Sequence, residues 1–173
     1  MKKLALALLL FSLGAAGAHA ATFLVLNVNG VSCTTTTLSG ITEGIELSSW
    51  SWGAVTPIGG ANGGNVVPGK ASMALLILNK ITDECSSALL GLNLAGKLAS
   101  TVTMTEYNTN IDGKLEASMV VTLSQGLLAS YAISGNTGAD PTETLGFSYS
   151  KICLANKITN TSTCYNAATN ITS

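Results

Sequence analysis

The chain has 173 residues, of which 47% are hydrophobic and only 10% charged, with a formal net charge of −1. Its basic residues are eight lysines and no arginine, too few and too scattered to displace the counterions of a nucleic acid or to hold an anionic membrane surface. Abundant Thr, Ser, Val, Ile and Leu with little charge exclude a disordered chain and suit one packed domain rich in β structure.

Met1-Lys2-Lys3 is a cationic head, Leu4 to Leu13 an apolar run, and Ala18-His19-Ala20 a small-x-small cleavage signal. This order predicts a signal peptide over residues 1–20, cut near Ala20-Ala21, and a secreted or periplasmic mature protein. The apolar run is about half of the roughly 20 residues a membrane-spanning helix needs, and no later segment replaces it, so no stable membrane insertion is expected. Cleavage removes Lys2, Lys3 and the only histidine, His19, leaving six lysines against nine acidic residues and a formal charge of −3.

Thr22 to Val28 reads as an opening strand ended by Asn29-Gly30, and a Thr-rich loop follows. Glu43 to Val55 reads as a second strand, with Ile45 and Leu47 on one face and Glu46, Ser48, Trp50 and Trp52 on the other. Pro57 to Gly69 holds too many permissive residues for a ladder and is expected as a mobile loop. Lys70 to Ile81 is apolar at successive positions from Met73 through Leu75 and Ile77 to Leu78, so both faces of that strand should be covered, one by the core and one by a subunit contact.

One helix is expected at about residues 86–95, with Ser86 or Ser87 receiving the first free amides and Gly96 ending it. Strands resume with Leu98, Val102 and Met104, then Leu115 to Leu123 across an Asp112-Gly113 turn, then Leu127 to Ile133 and Thr142 to Leu154. The polar segment 156–173 reads as a solvated tail. It carries two short matches to glycosylation acceptors, at Asn160-Thr161-Ser162 and Asn170-Ile171-Thr172.

Cys33, Cys85, Cys153 and Cys164 all fall in the mature part, where export lets disulfides persist. Three pairings are open; the short separation of Cys153 from Cys164 favours that pair and leaves Cys33 with Cys85. Without a CxxC pair or a mature histidine, no metal site is expected. Nor is a catalytic centre: no imidazole remains for nucleophilic catalysis, and the paired carboxylates Asp112 with Glu116 and Asp140 with Glu143 sit at turns or strand ends where solvation is the usual explanation. The loop bearing Gly59-Gly60 and Gly63-Gly64 lacks a phosphate-binding pattern, so no cofactor is implied. Trp50 and Trp52 read as packing or interface residues.

The stretch Ile45-Glu46-Leu47-Ser48-Ser49-Trp50-Ser51-Trp52-Gly53 resembles the haemolysin-coregulated protein (Hcp) family, the tube proteins of type VI secretion. The Lys70 strand followed by Ser86-Ser87-Ala88-Leu89-Leu90 is similar to that family's strand and helix, and Asp140 to Ile152 resembles its penultimate turn and final strand. The resemblance implies a mainly β fold over residues 21–155, an antiparallel β barrel or sandwich with one short helix. It also implies a non-catalytic structural protein that forms homohexameric rings stacking into a tube, with secreted cargo or other secretion components as further partners. Trp50, Trp52, Met73, Leu75 and Ile77 are then the candidate interface and packing residues. The competing expectation is a monomeric extracytoplasmic module binding a small ligand or glycan at the Trp50 face or barrel mouth.

Overall fold

The computed structural model describes residues 22–59, 67–169 and 171–173. The predicted signal segment, the centre of the Gly-rich loop and Asn170 lie outside the described residues. Among the described residues, fourteen strands and one helix run in the order β1 (Thr22–Val28), β2 (Ile45–Leu47), β3 (Ser49–Ser51), β4 (Ala54–Val55), β5 (Ile58–Gly59), β6 (Val67–Pro68), β7 (Ser72–Met73) and β8 (Leu76–Ile81). Then come α1 (Ser86–Ala95), β9 (Leu98–Thr109), β10 (Leu115–Ser134), β11 (Thr142–Ser148), β12 (Lys151–Asn156), β13 (Thr161–Asn166) and β14 (Ile171–Thr172).

The main sheet closes on itself. β1 pairs with β9, β9 with β10, β10 with β11, β11 with β8 and β8 with β3, every pairing antiparallel, while β2 returns to β1. The expected strand from Glu43 to Val55 is thus broken. The bend at Ser48, whose N–H donates to Asn79 O at 2.8 Å, hands the chain from β1 to β8. It also resets the two-residue alternation, so Leu47 is buried and Trp50, three residues on, packs against the same core although it was expected on the opposite face.

The core is one cluster inside the barrel, with Leu26, Leu76, Leu78, Met104, Leu123, Leu145 and Phe147 each fully buried. The two strands expected on either side of Leu123 and Leu127 are a single 20-residue strand, β10. It survives interruption because Gln125 takes a positive φ of 52° and register shifts absorb the curvature between Ala117 and Met119 and between Leu128 and Ser130. Its first half is flanked by β12 and its second by β11, so one strand serves both the β11 side and the β12–β13–β14 side of the sheet.

Two other expectations are corrected. The outer part of the Gly-rich segment holds a ladder after all: β5 pairs with β6, and Gly69 N–H donates to Pro57 O at 2.7 Å. The segment after residue 156 is not a solvated tail, since β13 pairs with β12 over six positions and β14 with β13. Its alternating Thr, Ser, Cys and Tyr side chains suit a half-covered edge.

Candidate functional site: an uncharged sheet face above a buried ion cluster

Across β3, β8, β11 and β10 the register aligns side chains in rows that face outward. One row is Ser49, Asn79, Thr144 and Ala132; the next is Ser51, Ile77, Gly146 and Ser130; Ile81, Thr142 and Ser134 add a third. Residues directly opposite in an antiparallel ladder share a face, and the hydrogen bonds agree: Thr144 Oγ1 donates to Asn79 Oδ1 at 2.8 Å, and Asn79 Nδ2 to Ser49 Oγ at 2.9 Å. None of these residues is charged. Gly146 is required there, because a Cβ would run into Ser130 Oγ.

Directly beneath lies an ion cluster. Lys80 of β8 and Glu143 of β11 are register partners, both fully buried, with Nζ 3.2 Å from Oε2. Lys80 Nζ also meets Asp83 Oδ1 at 2.8 Å and donates to Ile81 O at 2.8 Å and Ser86 Oγ at 3.2 Å. Glu143 Oε1 has no hydrogen-bond partner. Tyr131 O–H reaches Ser86 O at 3.4 Å, and its phenol is pushed up to about 12 by burial and then by the charge of Glu143. Glu143 was expected as solvated surface and is instead part of the interior; Lys80, which locks it there, was hidden in an apolar strand pattern.

The cluster explains how α1 begins. Its N-cap is Cys85, with no side-chain cap bond. Ser86 Oγ, expected to cap, accepts instead from Lys80 Nζ and from Asp83 N–H at 2.9 Å, while Asp83 Oδ1 accepts from Cys85 N–H at 2.8 Å. Gly96, at φ 58°, ends the helix, as its conformational freedom allows. The outer helix surface is apolar, with Leu94 at 77% and the following Leu98 at 63% exposure.

The predicted interface residues separate. Trp50, Trp52 and Met73 are partly buried and pack on the core, whereas Leu75 falls between β7 and β8 and only Ile77 joins the outward rows. Trp52 Nε1 donates to Tyr149 O–H, which donates to Ala74 O at 2.9 Å; burial raises the Tyr149 phenol above its usual value. The cysteines form bridges between Cys33 and Cys85 and between Cys153 and Cys164. The other paired carboxylates do not meet: Glu116 receives Asn110 Nδ2 at a hairpin turn, and Asp140 precedes β11 on the surface. Among the described residues no group of three His, Cys, Asp or Glu could hold a metal, and no helix is long and apolar enough to cross a membrane. A cleft of about 610 Å³ lies under the loop after β1, lined by Val31, Cys33, Gly44 and Thr103 and by no tryptophan.

A family model described as the type VI secretion system effector Hcp matches residues 26–155. The chain belongs to the Hcp family. Hcp proteins are non-catalytic structural proteins, which accords with carboxylates that are buried in ion pairs or held at turns. Solved structures share the fold at low identity. A type six secretion system protein aligns with TM-score 0.76 and 21% identity over 88% of this chain and 100% of its own. Hcp1 from Salmonella typhimurium aligns with TM-score 0.73 and 18% identity over 88% and 99%, and the secreted protein Hcp3 from Pseudomonas aeruginosa with TM-score 0.67 and 14% identity over 85% and 97%. No curated protein sequence matches the chain. The fold is thus shared with these structures at only 14–21% identity.

Proposed function

We propose that the mature chain is an exported Hcp-type structural subunit that associates with itself into hexameric rings, which stack into a hollow tube. The uncharged outward face of β3, β8, β11 and β10 carries this reading. A solvated monomer surface normally intersperses charge, and outward rows across four neighbouring strands without any suit a face covered by another copy or turned to an enclosed lumen. The arm formed by β4 with β7 and β5 with β6 supports it, since Val55 and Ile58 are 68% and 71% exposed there. Isolated exposed apolar side chains on a projecting hairpin gain most when a neighbour buries them.

Export is the second element of the proposal. The amino-terminal signal pattern and two disulfides support a site of action outside the cytoplasm, in the periplasm or the medium. The competing reading, a monomeric binding module, has less support, because both tryptophans are packed on the core and neither lines the cleft under the loop after β1. Size-exclusion chromatography and negative-stain microscopy of the oxidised mature protein test assembly: rings are expected, and monomers alone at high concentration would end the proposal. Mass spectrometry of culture fractions tests export by locating the mature amino terminus.

A further inference from the structure

Cys153 and Cys164 are directly opposite each other on β12 and β13, with Cα atoms 4.0 Å apart. Their row runs Asn27, Thr103, Thr122, Cys153, Cys164 across five strands. The neighbouring row, Val28, Val102, Leu123 and Ile152, is the core row. The bridge therefore lies on the outward side of the sheet. Both cysteines are half-buried, and neither packs on the core cluster. Cys85, by contrast, is fully buried in that cluster, while its partner Cys33 is half-buried, packs against the cluster and lines the cleft after β1.

Exchange begins when a thiolate attacks one sulfur in line with the other, so the outward bridge offers both its sulfurs, whereas Cys33–Cys85 offers only Cys33, and attack there must expel the Cys85 thiolate into the apolar core. The surroundings favour the product as well. Lys151, two residues before Cys153 on the same strand, shares its outward face, the adjacent rows supply Ser124, Asn166, Ala155 and Ser162, and Ser173 exchanges backbone hydrogen bonds with Cys164 on its other side. A lysine near a cysteine stabilises its thiolate.

We propose that Cys153–Cys164 is a thiol-exchange site, a disulfide that extracytoplasmic dithiols open and that their oxidised, cyclic disulfide form reseals by the reverse exchange, while Cys33–Cys85 stays closed. One thiolate of the dithiol attacks Cys164 Sγ; the S–S bond breaks, and Cys153 leaves as a thiolate facing Lys151. The second thiol of the reagent, deprotonated by solvent, then attacks the mixed disulfide and releases Cys164. The dithiol becomes a cyclic disulfide, having supplied the two electrons, and the protein thiols take protons from water. β13 keeps its ladder to β12 in the reduced form, so the barrel is unchanged and only the hairpin of β13 and β14 is loosened. This holds whether or not the chain forms rings.

The test uses the oxidised mature protein under native conditions, treated with dithiothreitol for increasing times, quenched with N-ethylmaleimide and mapped by peptide mass spectrometry. Cys153 and Cys164 are expected to be labelled at least about tenfold faster than Cys33 and Cys85, because opening the latter bridge either leaves the Cys85 thiolate in the apolar core or waits on local opening. The same fast labelling is expected in a Cys33→Ser/Cys85→Ser variant if it folds; wild-type kinetics decide the matter if it does not. Equal rates for the two bridges, or earlier loss of Cys33–Cys85, overturn the proposal. Lys151→Met is expected to slow the labelling of Cys153 several-fold, and an unchanged rate removes Lys151 from the site.

Discussion

Replacing Lys80 by Met is expected to cost more than any other single change to the ion cluster, because it strands Glu143 in the interior. At 3.2 Å and an effective dielectric near 20 the Lys80–Glu143 attraction is about 5 kcal/mol in gross terms. Desolvation of both groups offsets most of it, so the net value is seen only when one partner is removed. Lys80→Met leaves a fully buried carboxylate with one oxygen already unpartnered and no cation near it, and should destabilise by about 3–5 kcal/mol. Glu143→Leu is milder, about 1–3 kcal/mol, because Lys80 keeps Asp83 at 2.8 Å along with Ile81 O and Ser86 Oγ. In the double variant Lys80→Met/Glu143→Leu no charge is stranded, since Asp83 is 23% exposed and can hydrate. That variant should therefore be more stable than Lys80→Met alone. Guanidinium unfolding of the four proteins with disulfides intact completes the cycle. A double variant whose loss equals the sum of the two single losses would refute the argument that these residues stabilise each other.

Two further outcomes follow from single positions. Gly44 has φ 131° and a Cβ placed on it would collide with Val25 Cγ1, a side chain with no exposure; Gly44→Ala should cost about 1–3 kcal/mol in denaturant unfolding, combining backbone strain with overpacking. Tyr131 has its phenol raised to about 12 from an ordinary value of 10.0, by burial first and by Glu143 second. The folded state thus favours the protonated phenol, so its contribution is full below pH 10 and fades as pH rises towards 12. Alkaline melts should show this loss in the native protein and less of it in Tyr131→Phe.

The parts of this fold that could be read from the sequence are those fixed by local pattern. Thr22–Val28, the helix from Ser86 to Ala95 and the Asp112-Gly113 turn declare themselves through β-branched runs, a terminal glycine and a hairpin dipeptide. What failed depended on partners far along the chain. Strand alternation places Trp50 opposite Leu47, and only the transfer from β1 to β8 at Ser48 brings both onto the core. Ser86 looks like a helix cap until Lys80 claims its hydroxyl. Lys80 is itself invisible as a buried group, since nothing in its own strand announces that Glu143 will lie opposite it 63 residues later. The outward face was legible only in Ile77, because its uncharged character emerges when four strands are set side by side.

The disulfides divide this molecule in a way that its composition alone does not suggest. Every fully buried large side chain among the described residues belongs to the barrel strands or to Leu89 of the helix. The long loop after β1 and the hairpin of β13 and β14 bury little by comparison, and each is tied down by one bridge, over sequence separations of 52 and 11 residues. On a loop-entropy estimate those bridges contribute about 4 and about 3 kcal/mol, acting on the segments that hydrophobic burial secures least. The barrel therefore owes its closure to packing and to the Lys80 cluster, while its periphery depends on oxidation. Such a division makes the barrel the part whose shape does not depend on the cysteines, and the loop after β1 and the carboxyl-terminal hairpin the parts whose order responds to reduction.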